Sequence, residues 1–351
     1  MKYIIAISLV SFGLIIAATE PKAPVLVPNS EAVTSSVDKG LAYLKQTQQP
    51  NGAWICKVGY KLNESYIGPE NENVAVTALA GIAFMAQGNL PGRGKYGQEV
   101  SKAVDFVLSC SRDTDGYITK HGSRMYEHAF ATLFLAEVYG MSPREDIKNK
   151  VKKAAYLIVS SQNAEGGWRY QPAPIDADIS VTVTTVQALR AARNAGISVP
   201  KETIDNAINY IKKCSRQDGA FEYQLPSSRW QSLALSSAGV TSLMCAGEYD
   251  APEVLRGINF IMDIVSKGRK HPYYPIYGDY HYFYAHYYTA QALHQAGGRY
   301  WDTYLPLLQK ELLPKQLADG SWADDVGKTY ATSMACIILQ VENDYLPIIQ
   351  R

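Results

Sequence analysis

The chain has 351 residues, five of them cysteine, and a formal net charge of +1 at pH 7. Its Lys and Arg residues are scattered, which excludes a basic track for nucleic acid. With 47% hydrophobic residues there is apolar mass for a large core, and this length fits two domains or one closed repeat array.

The N-terminus places Lys2 before an apolar run over residues 3–18, followed by the small residues Ala17, Ala18 and Thr19. This pattern predicts a signal peptide over 1–19, or an N-terminal anchor if it is not cleaved, since no clean Ala-x-Ala site is present. No Cys follows the run, which argues against a lipoprotein anchor. The expectation is an exported protein, periplasmic or extracellular, with membrane-surface association through the apolar segment. Residues 20–35, rich in Pro, Ser and Val, read as a linker, and 36–351 as the folded domain. The cysteines show no Cys-x-x-Cys spacing, so neither a disulfide framework nor a structural zinc site is expected.

A repeat organises the rest. Lys39-Gly40, Tyr43-Leu44, Gln48 and Gly52-Ala53-Trp54 form a unit that returns in degenerate form. Lys102-Ala103 leads to Gly116-Tyr117, Lys153-Ala154 to Gln162 and Gly166-Gly167-Trp168, and Ala207 to Gly219-Ala220-Phe221. Arg256-Gly257 opens a unit whose Gly-x-Trp turn is lost, and Gln316 leads to Gly320-Ser321-Trp322. The spacing is about fifty residues, the length of a helix-pair repeat. Each period holds an amphipathic segment, such as 145–161 or 201–213, and then an apolar run. The apolar runs are 73–87, 127–139, 178–195, 230–246, 282–296 and 330–340. A helix apolar on every face is buried on every face, so six of each predict an outer ring around an inner ring. In this scheme Gly permits the tight bend between them and Trp wedges into the next repeat.

The Gln-x-x-x-Gly-x-Trp units at 48, 162 and 316 resemble the repeats of squalene-hopene cyclases and the related protein prenyltransferase β-subunits. The resemblance covers about residues 36–345. It implies an all-α fold, an (α/α)6 toroid of six helical-hairpin repeats. In class II terpene cyclases an Asp-x-Asp-Asp-Thr motif precedes an inner helix, and its middle Asp protonates an alkene. Asp176 and Asp178 match the first and middle Asp, while Ile179 replaces the third. Class II cyclases also carry a second helical domain, which this chain lacks. The single-barrel prenyltransferase β-subunits bind zinc through Asp-x-Cys and a later His. There is no Asp-x-Cys here, so no metal and no cofactor are expected.

Polar residues gather at the starts of the inner runs, which share one rim in a toroid. Asp178 and Asp176 are the candidate catalytic pair. Glu127, His128, Arg229, Gln231, His281, Tyr284, His286 and Tyr288 are candidate substrate contacts. Asp178 reads equally as a helix N-cap, and an acid role needs a raised pKa from an apolar wall and a second carboxylate. Glu127 and His128 read as an acid/base pair or as rim residues bonded to neighbouring turns. Residues 273–288 hold eight Tyr, whose faces suit carbocations or sugars and also ordinary helix packing.

Three functions fit. The first is isoprenoid handling, with a terpene cyclase-like isomerase or a prenyltransferase-like transferase as the enzymatic forms. The second is a non-catalytic exported toroid that binds a lipid, peptide or protein. The third is a carbohydrate-active lyase or hydrolase. A closed apolar pocket would favour the first, a filled centre the second and an open polar groove the third. The expected ligand is an isoprenoid or another apolar small molecule.

Overall fold

A computed structural model describes residues 31–59, 67–120, 124–226, 232–271 and 281–350. Twelve α-helices occur among them. The odd-numbered ones are α1 (Glu31–Thr47), α3 (Gly97–Ser109), α5 (Glu145–Ser160), α7 (Lys201–Cys214), α9 (Pro252–Lys267) and α11 (Gly298–Leu312). Each buries one stripe and exposes charge on the other face. The even-numbered ones are α2 (Val74–Met85), α4 (Met125–Met141), α6 (Ile179–Asn194), α8 (Leu233–Cys245), α10 (Tyr282–Ala296) and α12 (Lys328–Leu339). Every residue of α2 and α8 is buried. The inner helices pack in the order α2, α4, α6, α8, α10, α12, and α12 returns to α2. The ring is therefore closed. Among the described residues one small sheet pairs β1 (Ile55–Val58) with β2 (Ile67–Glu72), antiparallel.

The Gly-x-Trp turns explain both the bend and the closure. Gly52, Gly166 and Gly320 all have positive φ. A Cβ on Gly320 would stand 2.6 Å from the carbonyl oxygen of Lys39 in α1, and Gly52 and Gly166 abut Lys102 and Asn206 of α3 and α7 in the same way. Each Trp indole donates to the end of its own outer helix: Trp54 to Leu44 (2.8 Å), Trp168 to Ile158 (2.7 Å) and Trp322 to Leu312 (2.9 Å). The Trp backbone N–H donates to a Thr of the following inner helix, Thr77, Thr182 or Thr332. The Trp322 ring reaches Gly40 of the next outer helix, which is the expected wedge. The basic-small pairs are thus docking points. The first residue offers its backbone to the glycine of the preceding turn, and the small second residue makes room for Cys336 and Trp322 at Gly40 and for Val240 and Phe221 at Gly257.

The glutamines at matching repeat phase carry the second half of each junction. Gln48 donates to Gly52 and across to Glu99 of α3; Gln162 donates to Gly166 and across to Thr203 of α7. Gln316 donates to Gly320 and Ser36 (2.8 Å each) and accepts from the Ser36 hydroxyl, so it seals the last repeat to the first. Gln316→Ala leaves these backbone carbonyls without their side-chain donor, at an expected cost of about 1–3 kcal/mol. Amide exchange should then rise selectively in α1, the first described helix, which this junction holds. Uniform acceleration across all twelve helices would contradict that seam.

The predicted signal peptide, and residues 20–30 of the predicted linker, lie outside the described residues. Residues 31–35 are not linker: α1 begins at Glu31. Val33, Val37, Leu41 and Leu44 form one buried stripe at helical spacing, which carries the helix back past the Pro-rich segment. The inner runs match the observed inner helices to within a turn, and Asn73, Asp178 and Ser232 each cap one through a side chain that accepts a backbone N–H. All five cysteines are free thiols and four are buried. No helix among the described residues is long and apolar enough to cross a membrane.

The inner C-terminal ends are covered by the end of the chain. Leu346, Ile348 and Ile349 are buried there. Asn343 donates to Ala86 of the α2 end, Gln295 of α10 donates to Ile349, and the Ile348 N–H donates to Glu137 of α4 (3.4 Å).

Candidate functional site

The inner N-terminal ends form the opposite mouth. Asp178 sits there, fully buried, as the N-cap of α6. Its Oδ1 accepts from the Val181 N–H (2.9 Å) and the Ser180 hydroxyl (3.0 Å), and its Oδ2 accepts from the Tyr223 hydroxyl (3.1 Å). Burial pushes the Asp178 carboxyl above the usual range, outweighing these donors and the nearby Arg169 guanidinium. Capping and an elevated pKa therefore coexist in one residue.

Arg169 is the site residue that sequence reasoning missed. Its Nη1 pairs with Asp176, and its Nε stands 3.4 Å from Asp178 Oδ2. It directly follows the Gly166-Gly167-Trp168 turn, so its position was visible without its role. Asp176 is half-exposed and Asp178 is buried, so the two acids share one guanidinium from opposite sides. A bond between Trp168 and Asp178 backbones holds the Arg169 turn against the α6 start.

Tyrosines wall this cluster. The Tyr170 and Tyr223 hydroxyls are hydrogen-bonded to each other. The Tyr126 ring lies 6.3 Å from that of Tyr170. Tyr284 donates to Ser180 O (3.1 Å), and its ring meets Tyr288 at 4.8 Å. Tyr284 and Tyr288 thus come to the Asp178 side of the ring, as candidates from the sequence.

The tyrosines of α10 also cross the ring. Alongside the Tyr284–Ser180 bond, Tyr288 meets Thr184 (3.2 Å) and Gln187 donates to Gln291 (2.8 Å), three rungs between α6 and α10. The small residues Ser237 and Thr241 of the intervening α8 bond to α10 and permit this approach. Tyr287 meets Phe130 of α4 edge-on at 6.4 Å. Among the described residues, α6, α8 and α10 are therefore tied together across this half of the ring below the mouth.

The other candidates are placed differently. Glu127 is wholly buried at the α4 start, where it accepts from Asn73 and Thr119. His128 accepts from the Ile118 N–H at Nδ1 (3.0 Å) and donates from Nε2 to Ala154 O (3.1 Å). Burial pushes its pKa down to about 4. The pair is committed to neighbouring turns rather than presented to a ligand. His281 occupies the left-handed region just before α10. His286 turns to the outer ring, where Nδ1 meets the Tyr304 hydroxyl of α11 (2.8 Å). Arg229 and Gln231 lie outside the described residues, so the convergence expected of Arg229 with Asp176 and Asp178 has no description here. Among the described residues no group of three or more His, Cys, Asp or Glu is arranged to hold a metal.

No family model matches the chain, and no curated protein matches it. Solved structures do. The apo type II terpene cyclase MstE from Scytonema superposes with a TM-score of 0.63 at 14% identity, over 90% of this chain and 100% of its own. Cellobiose 2-epimerase from Bacillus thermoamylovorans B4167 gives 0.61 at 12% identity, over 88% and 99%. A protein from Actinoplanes gives 0.62 at 15% identity, over 88% and 98%. With twelve helices closed into two concentric rings, the chain has the (α/α)6 toroid fold that type II terpene cyclases and cellobiose 2-epimerases share.

Proposed function

We propose that this chain handles an isoprenoid, or another apolar molecule with a polar head, at the Asp178 mouth. One observation carries this over the sugar reading. Among the described residues, polar groups of the mouth are engaged with one another: Arg169 with Asp176, Tyr170 with Tyr223, and Tyr223 and Ser180 with Asp178. A sugar site needs such groups directed at hydroxyls, whereas tyrosine ring faces suit a hydrocarbon body. Within this set the Arg169–Asp176 pair is partly exposed, so a charged head group can reach the guanidinium by exchanging with Asp176. In this proposal the chain acts after export, as the N-terminal segment suggests.

The probes are taken from the structural neighbours: geranylgeranyl dihydroxybenzoate, the substrate named with MstE, and cellobiose. Native mass spectrometry of the full chain should show the isoprenoid bound and cellobiose unbound. Arg169→Leu should weaken the isoprenoid by about ten-fold, a typical effect of a lost charged head-group contact. Preferential binding of cellobiose would replace this reading with the carbohydrate one.

A second, catalytic reading is favoured by the elevated pKa of Asp178. Once protonated, a carboxyl walled by aromatic rings can give its proton to an alkene and face the resulting carbocation with π-density. If so, Asp178→Asn should abolish any cyclised product while the isoprenoid stays bound. Binding with no product from the unaltered chain would leave the toroid a carrier.

A further inference from the structure

A concavity lies on the outer ring, away from Asp178. It is a groove of about 620 Å³ between the C-terminal ends of α9 and α11, with His286 of the inner helix α10 among its lining. Its apolar wall includes Leu233, Val265, Leu307 and Leu308, and its charged lining is Lys267, Lys310, Lys315 and Glu311. The size falls in the range of small-molecule pockets.

His286 is the feature that packing does not explain. Its ring is 4% exposed, with the Tyr282 ring at 4.4 Å and the Tyr304 ring at 6.1 Å. Nδ1 is engaged by the Tyr304 hydroxyl, while the buried Nε2 has no hydrogen-bond partner. An orphaned buried polar atom of this kind is unfavourable, and a ligand atom bonded to it would recover the loss. Burial also holds the imidazole neutral, with a pKa of about 4, so Nε2 offers a directional bond rather than a charge. Charge comes from the lysines. Lys315 is paired with Glu311 and Lys267 with Asp263, whereas Lys310 has no carboxylate partner among the described residues. Three lysines against one glutamate make the lining net cationic.

We propose that this groove is a binding site for a small apolar carboxylate, with His286 Nε2 bonding the carboxylate and Lys310 neutralising it, and with the hydrocarbon against Leu233, Val265 and Leu308. The wall is made for carbon, and the lining supplies one fixed hydrogen-bonding nitrogen and surplus positive charge. A neutral alcohol satisfies only the first two features, and acetate only the last two. The site is separate from the Asp178 mouth and stands or falls without it.

The test is titration of the full chain, carrying ¹⁵N-labelled histidine, with octanoate, octan-1-ol and acetate. Octanoate should shift the His286 Nε2 resonance and bind about ten-fold tighter than either control, the contribution of one charged contact or of a few buried methylenes. Lys310→Glu should weaken octanoate by at least about ten-fold through reversal of the local charge. Leu308→Trp should block binding by filling the wall. Octanol binding as tightly as octanoate, an unmoved His286 resonance, or unchanged octanoate affinity in Lys310→Glu would each overturn the proposal. If Leu308→Trp does not fold, the exposed Lys310→Glu and the His286 resonance decide the matter between them.

Discussion

Trp168→Ala should lower stability by about 5 kcal/mol, from about 3–5 for deleting a large buried aromatic and about 1 for the hydrogen bond lost with it. Trp168 is fully buried and joins three things at once. Its indole N–H binds the end of α5 at Ile158, its backbone N–H binds Thr182 of α6, and its carbonyl accepts from the Asp178 N–H. Trp168→Phe keeps most of the ring volume and loses the indole donor, so it should cost less than half as much. Gly166→Ala tests the other half of the same turn. Gly166 has a φ of +99°, and an added Cβ would collide with the Asn206 backbone of α7. That neighbour is backbone and cannot swing aside, so Gly166→Ala should rival Trp168→Ala despite adding one methyl group. Urea unfolding of the three variants checks the order. A Gly166→Ala chain as stable as the unaltered one would mean that the turn does not dock as described.

These junctions also explain why the fold was legible in the sequence. The three Gln-x-x-x-Gly-x-Trp units each make the same set of bonds, so the constraint on each position is local chemistry repeated at a fixed phase. The inner helices were legible because burial on every face removes the polar stripe that most helices keep. The mouth was less so. Asp178 was read both as a cap and as an acid, and it has the geometry of the first and the burial of the second. Arg169 escaped because a lone Arg after a Trp carries no periodic signal; only the fold brings it back to Asp176 and Asp178. Glu127 and His128 stand at the expected inner start, but the sequence does not say which way a buried side chain points. Theirs point into the turns beside them.

Glu137 was the clearest anomaly left unread, a carboxylate in the apolar run Phe134-Leu135-Ala136-Glu137-Val138. It is 2% exposed at the covered end of the ring, and burial pushes its pKa from 4.5 up to about 7, with the Ile348 N–H as a weak counterweight. The folded chain therefore holds this proton more tightly than the unfolded chain does. By linkage its contribution favours folding below about pH 4.5, declines as pH rises, and is a constant penalty above about pH 7. The full penalty is of the order of 3 kcal/mol, from about 1.4 kcal/mol per pKa unit. His128 and His286, both held near pKa 4, act in the opposite sense: the folded chain excludes their protons, so their contributions grow as pH rises through 4 to 6.5. In the unaltered chain these slopes oppose one another, so its own pH profile does not isolate Glu137. Glu137→Gln does, because the amide keeps the shape and can still accept from Ile348. The variant should gain up to about 3 kcal/mol over the unaltered chain at pH 8 and almost nothing at pH 4.5. Urea unfolding of both chains at the two pH values measures it. Equal differences at both pH values would show that Glu137 is charged in the fold, and the packing of Ile348 and Ile349 against α4 and α10 would then have to tolerate a buried carboxylate.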